Sequence, residues 1–291
     1  MLRKESYLIT VKIVTDSTAD LPATLTKELN VTVVPVYLRF GEEVYRDRVD
    51  ISEDEFYKRL LHDPVHPNTT QPTPQDFTNV YDELSNDADG IISIHITSKL
   101  SGTFNSAVQG KKMAKNRCPI EIVDSQTVSI AIGLIVIQAS KMAKSGMDLQ
   151  QIVDEVSEII PNVHLLILFD TLKYLVKGGR IGKAKGLLGS VLNVKPLLTV
   201  RDGELVPSGQ VRTRSKGMDR LLDFVKDATE IQDLAILYST TPDEAQALIE
   251  STSSIFPKES TILARLGPAL GVHGGPGILA VALRGKGFHR V

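Results

Sequence analysis

Three short segments rich in hydroxyl side chains stand where apolar, β-branched runs end. Thr15-Asp16-Ser17-Thr18 closes the run Val11–Thr15, and Ser98-Lys99-Leu100-Ser101-Gly102-Thr103 follows Ile91–Ile96. The third, Asn68-Thr69-Thr70-Gln71-Pro72-Thr73-Pro74, leads into a helical stretch. Each has a plain structural account: Ser101 can cap a helix, and Thr73 can cap one with Pro74 in its first position. Together they permit more. In an open α/β sheet, ligands sit beyond the carboxyl ends of the strands, where helix N-termini direct free N–H groups outward. Gly102, with no Cβ, lets a ligand come close to the backbone. Ser and Thr hydroxyls with helix amides can hold a carboxylate or a small phosphate without lysine. The residues alone leave the choice of anion open.

The second half of the chain supplies cations and a histidine. Arg180 lies within Gly178-Gly179-Arg180-Ile181-Gly182-Lys183, and Arg212 and Arg214 within Arg212-Thr213-Arg214-Ser215-Lys216. His273 lies in Gly271-Val272-His273-Gly274-Gly275-Pro276-Gly277. A solvated face accounts for the arginines as well as an anion site does, and a satisfied turn histidine accounts for His273. The glycine-rich stretch is not a phosphate loop. Lys177 stands where its first glycine belongs, and Ala184 where Ser or Thr should hold magnesium. No G-x-G-x-x-G follows the first strand, and no G-x-S-x-G or H-E-x-x-H occurs. Six histidines without ligand spacing give no metal site, and one cysteine, Cys118, rules out an internal disulfide.

Composition excludes other classes. With 33 basic against 35 acidic residues there is no surplus of positive charge to displace counterions from a nucleic acid. Aromatics make up 5% with no Trp, too few for a base-stacking platform. Met1–Thr10 carries Arg3 and Lys4 but no apolar core of signal-peptide length, and Val128–Ile137 is half of the ~20 residues a membrane span needs. A cytoplasmic protein, in transient contact with membranes at most, is expected.

The elements that must position these residues follow from hydrophobic pattern. Val11–Thr15, Val31–Phe40, Ile91–Ile96, Ile120–Val123 and Val163–Phe169 are short apolar runs, mostly continuous, as in strands covered on both faces. Between them Pro22–Leu29, Glu53–Leu61, Pro74–Leu84, Thr103–Ala114 and Val128–Lys144 read as helices. Leu149, Ile152, Val153, Val156, Ile159 and Ile160 form the clearest helical stripe. Such alternation implies right-handed crossovers and a doubly wound sheet. Beyond Phe169 the texture changes, with a hairpin signal at Asp202-Gly203 between Pro196–Val200 and Glu204–Pro207. Helices Ser215–Ala228 and Asp243–Phe256 then alternate with strands Leu234–Ser239, Thr261–Leu266 and Ile278–Arg284. The fold class is α/β, with an N-terminal domain over 11–168 and a mixed-sheet domain over 169–291. A cleft between them is where a ligand is expected.

At this point the chain resembles the DegV family, which includes the fatty-acid-binding subunits of bacterial fatty acid kinases. Val14-Thr15-Asp16-Ser17-Thr18-Ala19-Asp20-Leu21 is similar to that family's first strand and turn. Thr69-Thr70-Gln71-Pro72-Thr73-Pro74 resembles its T-S-Q-P-S-P segment, with threonines for two serines. Leu100–Ala107 is similar to its L-S-G-T-x-x-S-A turn, and Tyr174–Ile181 to its Y-L-x-x-G-G-R-I element. Val211-Arg212-Thr213-Arg214 and the His273 loop complete the order, with Gly274 departing from a common Thr.

The resemblance implies two interlocked α/β domains with a long-chain, palmitate-like fatty acid between them and no cofactor. It implies that Thr69 and Ser101, next to Gly102, hold the carboxylate, with His273 near it and Arg180, Arg212 and Arg214 at the mouth. It also implies that a separate fatty acid kinase subunit makes the acyl phosphate, so this chain is not itself an enzyme. The apolar helix Val128–Ile137 either lines the tail pocket or is plain core. The competing class is a hydrolase or acyl transferase acting on a lipid in the same cleft, with Asp16, Ser17, Ser101 and His273 as nucleophile and base; the missing nucleophile elbow argues against it.

Overall fold

The computed structural model describes residues 9–115, 117–187 and 194–286, so Met1–Leu8, scanned above for a leader, lies outside the described residues. The chain begins with β1 (Val11–Asp16), a 3-10 turn (Ser17–Ala19), α1 (Ala23–Leu29) and β2 (Val31–Val34). Next come β3 (Tyr37–Phe40), β4 (Glu43–Arg46), α2 (Glu53–His62), β5 (Asn68–Thr70) and α3 (Pro74–Leu84). They are followed by β6 (Gly90–His95), α4 (Thr103–Met113), β7 (Ile120–Asp124), α5 (Ile130–Lys144) and α6 (Leu149–Ile159). The second half holds β8 (Val163–Leu168), α7 (Lys173–Lys177), β9 (Lys195–Arg201), β10 (Glu204–Val211) and α8 (Arg214–Lys226). It ends with β11 (Thr229–Tyr238), α9 (Pro242–Thr252), β12 (Ile262–Arg265), α10 (Pro268–Gly274) and β13 (Leu279–Lys286).

Three sheets result. The first is parallel, in the order β2-β1-β6-β7. Its strands are the continuous apolar runs, and β6 is buried along its whole length. Helices α3 and α4 cover one face, where Phe77, Tyr81 and Ala107 pack on Val14, Ile91 and Ile120. The chain runs from β1 outward to β2, then returns to the other side of β1 for β6. The order reverses between β1 and β6, and a crevice opens there at the strands' carboxyl ends.

The second sheet is mixed, in the order β10-β9-β8-β13-β11-β12. Its hairpin turns at Asp202 (φ 50°) and Gly203 (φ 78°), the left-handed pair that a two-residue connection requires. Strand β8 lies between β9 and β13, so the chain passes to this sheet before Val163, inside the 11–168 span. Helix α5 interlocks the two sheets. It is apolar all round from Ile130 to Ile137, and it packs on β1 and β6 on one side and on β8, β11 and β13 on the other.

The third sheet, β4-β3-β5, corrects one expectation. Val31–Phe40 is not one strand: β2 belongs to the parallel sheet, and β3 pairs antiparallel with β4 and β5. The break falls at Pro35-Val36, and Pro35 has no N–H to continue a ladder. The segment after Asn68 is likewise more than a turn, since Asn68–Thr70 forms β5 and Thr69 sits opposite Leu38.

Candidate ligand-binding site

Between the two large sheets, at the switch point of the parallel one, lies a cavity with about 900 Å³ of empty space including its mouth. Its length is hydrocarbon, with Leu165 and Ile167 from β8, Leu205 from β10, Leu237 from β11 and Ile278 before β13. Polar groups gather on Thr69, Gln71, Ser101, Arg180 and His273. Thr18 and Ser129 are two further hydroxyls in the lining.

The five clustered side chains come from four places. Thr69 and Gln71 are on and just beyond β5. Ser101 is in the turn between β6 and α4, where its Oγ lies 2.9 Å from Thr103 Oγ1 and accepts from the Thr103 amide. It is not the cap itself, because the residue before α4 is Gly102. Gly102 stands behind the lining, and a Cβ on it would fall 2.6 Å from Gln71 Nε2. Its missing side chain therefore makes room for Gln71. Thr73 does cap α3, in a reciprocal box with Asp76 and with Pro74 at the first position.

Arg180 follows a glycine turn with Gly179 at φ 69°. Its guanidinium donates to the Gly178 carbonyl at 2.8 Å and to the Leu100 carbonyl at 3.4 Å, next to Ser101. His273 is on α10, with Nε2 2.9 Å from Thr69 Oγ1. Its Nδ1 is buried with no hydrogen-bond partner among the described residues and faces Gly178, where a Cβ would come within 2.1 Å. Burial first, then the Arg180 cation and His66, push the His273 pKa down to about 4. The imidazole is thus neutral at ordinary pH. Arg212 and Arg214 are not in the lining. Arg214 is held by Glu244 in a bidentate pair and donates to the Gly277 carbonyl, while Arg212 is exposed.

Two buried carboxylates stand behind the cavity floor. Asp16 accepts from the amides of Thr18 and Ile96 and from Thr18 Oγ1, and lies 2.9 Å from His95 Nδ1. His95 Nε2 lies 2.7 Å from Ser93 Oγ, which accepts from Tyr81. This Asp–His–Ser series has the order of a hydrolytic triad. All three residues are fully buried and Ser93 is not in the lining of this cavity, so the series ties strands together instead. Asp20 accepts from Ser129 Oγ at 2.5 Å and from the Gly267 amide at 2.8 Å, and pairs with Arg48. Burial raises its pKa to about 6 against those partners.

Of the expected residues, Thr69, Ser101, Arg180 and His273 meet in one cavity. Thr18, Gln71 and Ser129 were missed as lining residues. The first two are within segments singled out for hydroxyls, while Ser129 falls inside the stretch Val128–Lys144 that reads as helix and stands just before α5 instead. Val128 and Ser129 line the cavity, and the rest of the 128–137 stretch is core around α5. The four residues of the enzymatic alternative are otherwise engaged: Ser17 Oγ accepts from the Val36 amide, Asp16 serves Thr18, Ser101 serves Thr103, and His273 faces Thr69. Among the described residues no group of three His, Cys, Asp or Glu side chains could hold a metal, and no helix is long and apolar enough to cross a membrane.

The fold recurs in known proteins. A DegV domain-containing protein of Caldanaerobacter subterraneus is 35% identical over 281 residues, covering 95% of this chain and 99% of that protein. A fatty-acid-binding DegV family protein from Thermus thermophilus superposes with a TM-score of 0.88 at 32% identity, covering 96% of this chain and all of the other. A stearic-acid-binding protein from Eubacterium ventriosum gives 0.85 at 26% identity, covering 94% and 98%. The family model described as "Uncharacterised protein, DegV family" matches residues 10–286, and the chain belongs to the DegV family.

Proposed function

We propose that the chain binds one long-chain, palmitate-like fatty acid in this cavity. The carboxylate lies among Thr69, Ser101 and His273, and the tail runs between the sheets toward Leu237 and Ile278. One observation carries the reading: a cavity walled mostly by hydrocarbon side chains carries hydroxyls, a neutral histidine and an arginine in its lining. Each buried methylene contributes ~0.8 kcal/mol, so a tail of about 16 carbons supplies on the order of 10 kcal/mol before the cost of ordering it. Tail burial sets affinity, and the polar cluster sets orientation. The solved relatives named for fatty acids support the ligand class.

The chain then acts as a carrier in the cytoplasm, without a cofactor or chemistry of its own. A partner kinase subunit phosphorylates the bound carboxylate. Arg180 at the lining and the exposed Arg212 are the cations assigned to the phosphate. Arg214 contributes by anchoring the segment that presents Arg212. Native mass spectrometry of the protein purified from cells, followed by organic extraction, tests the ligand. A bound C16 or C18 acid is the expected mass difference; protein that is ligand-free and takes up no added acid would refute the reading.

A further inference from the structure

Thr69 and Gln71 stand two positions apart at the end of an extended segment, so their side chains leave the backbone on the same side, and both line the cavity. Pro72 follows, and the residue before a proline is held to extended backbone, which keeps Gln71 in that register. The Gln71 carboxamide lies flat on the backbone of Gly102. A Cβ on that glycine would fall 2.6 Å from Nε2, 2.8 Å from Cδ and 3.1 Å from Oε1. Gln71 therefore sits beside both residues assigned to the headgroup: two positions of chain from Thr69, and in contact with the neighbour of Ser101.

The other polar groups at this end are already engaged. Thr69 Oγ1 shares a hydrogen bond with His273 Nε2, and Ser101 Oγ shares one with Thr103 Oγ1. Arg180 gives N–H groups to the carbonyls of Gly178 and Leu100. The Gln71 carboxamide makes no hydrogen bond among the described residues, and Gln71 is exposed. It thus has two N–H donors to offer a ligand from the solvent side of the site. Among the described residues the lining holds no Asp or Glu, and its cation is Arg180. Glutamine has the shape of glutamate, so at position 71 an NH2 in place of one oxygen leaves the headgroup end without an anion.

We propose that Gln71 is the specificity-determining residue of the headgroup end, its carboxamide seated on Gly102 and donating to a carboxylate that Thr69 and Ser101 already hold. This rests on the fatty-acid reading above. The N–H groups favour an anion, and an alkylammonium headgroup finds no negative charge to pair with beside Arg180. Gly102 belongs to the same device. With a Cβ in its place the flexible carboxamide is pushed off its seat, and its donors leave the headgroup.

The test is isothermal titration of the delipidated full chain with octadecanoic acid and with octadecylamine, in mildly alkaline buffer. Gln71→Ala should weaken the acid about tenfold. Gln71→Glu, of the same shape, should lower the preference for acid over amine by about a hundredfold or more. Gly102→Ala should weaken the acid as Gln71→Ala does, and the double variant should lose little beyond either. A Gln71→Glu chain that binds the acid as the unaltered one does overturns the proposal and leaves the fatty-acid reading standing, as does an equal loss for both ligands. Losses at Gln71 and Gly102 that simply add overturn the seating on Gly102. An unaltered chain that takes up no octadecanoic acid overturns the fatty-acid reading as well. Position 71 is exposed, so Gln71→Glu keeps the fold and decides the matter where Gly102→Ala does not fold.

Discussion

Thr69 Oγ1 and His273 Nε2 lie 2.9 Å apart although 204 positions separate them in the chain. The bond joins the three-stranded sheet to α10, and it orients the threonine hydroxyl by a ring that does not carry charge. Because burial and Arg180 hold the His273 pKa at about 4, its protonation is complete only far below neutrality. The affinity ratio between the unaltered chain and His273→Gln should therefore stay constant from about pH 5 to pH 8, with no inflection near the ordinary histidine value of ~6.5. His273→Ala, which leaves Thr69 without that partner, should weaken octadecanoic acid about tenfold. Isothermal titration across that range checks both.

Thr69→Val combined with Ser101→Ala removes the two hydroxyls assigned to the carboxylate. Affinity for the free acid should fall about tenfold or more, while the methyl ester loses little, so the preference for acid over ester disappears. If the preference survives in the double variant, the headgroup lies elsewhere in the cavity.

Arg212 and Arg214, two residues apart, should behave oppositely. Arg214 is only partly exposed and is fixed by Glu244 and the Gly277 carbonyl. Arg214→Ala should lower stability in urea by roughly 1–2 kcal/mol, and Glu244→Ala on that background should add little. Arg212→Ala, on an exposed site with no bond among the described residues, should change stability by less than about 0.5 kcal/mol and should instead slow acyl phosphate formation by a partner kinase.

Asp47, just beyond β4, is 1% exposed. Neither of its carboxyl oxygens makes a bond of full hydrogen-bond geometry among the described residues, although the Ser17 hydroxyl and the Ala269 amide approach it. Burial raises its pKa from 3.8 to about 7, offset only in part by Arg48. A raised folded-state pKa means that the stabilising proton is bound below the unfolded value and lost as pH climbs through the folded one. Asp47→Asn should leave stability unchanged near pH 4 and raise it near pH 8, by on the order of a few kcal/mol at most, with the melting temperature moving in the same direction. Scanning calorimetry at the two pH values reads the difference; equal shifts at both would contradict it.

Much of this architecture was legible because local rules and the fold agree. Continuous β-branched runs around Ile13, Ile92 and Ile122 are the parallel strands, and Asp202-Gly203 is the hairpin turn. The uniformly apolar Ile130–Ile137 is the helix between two sheets. Other features depend on partners a local window cannot see. The apolar run through Pro35 reads as one strand, and only the pairing of Tyr37 with Arg46 and Thr70 divides it. Val163–Leu168 has the same texture as the strands before it, yet its partner β13 comes more than a hundred residues later.

The site divides the same way. Ser101, Arg180 and His273 stand out by their glycine-rich surroundings. Nothing in the composition near Arg214 announces Glu244, whose carboxylate turns a candidate phosphate ligand into a brace. Ser129 reaches the cavity through a backbone conformation that only the folded chain imposes.

Strand β13 is the last element described, and it lies in the middle of the six-stranded sheet, between β8 and β11. During synthesis, β8 waits unpaired on that side, and the floor of α5 on the mixed sheet lacks its middle strand, until Lys286 has left the ribosome. The walls at Leu165, Leu237 and Ile278 close around the cavity only once β13 has taken its place, so binding capacity arrives with that one strand. A chain in which β13 cannot pair would lose the capacity altogether rather than have it reduced.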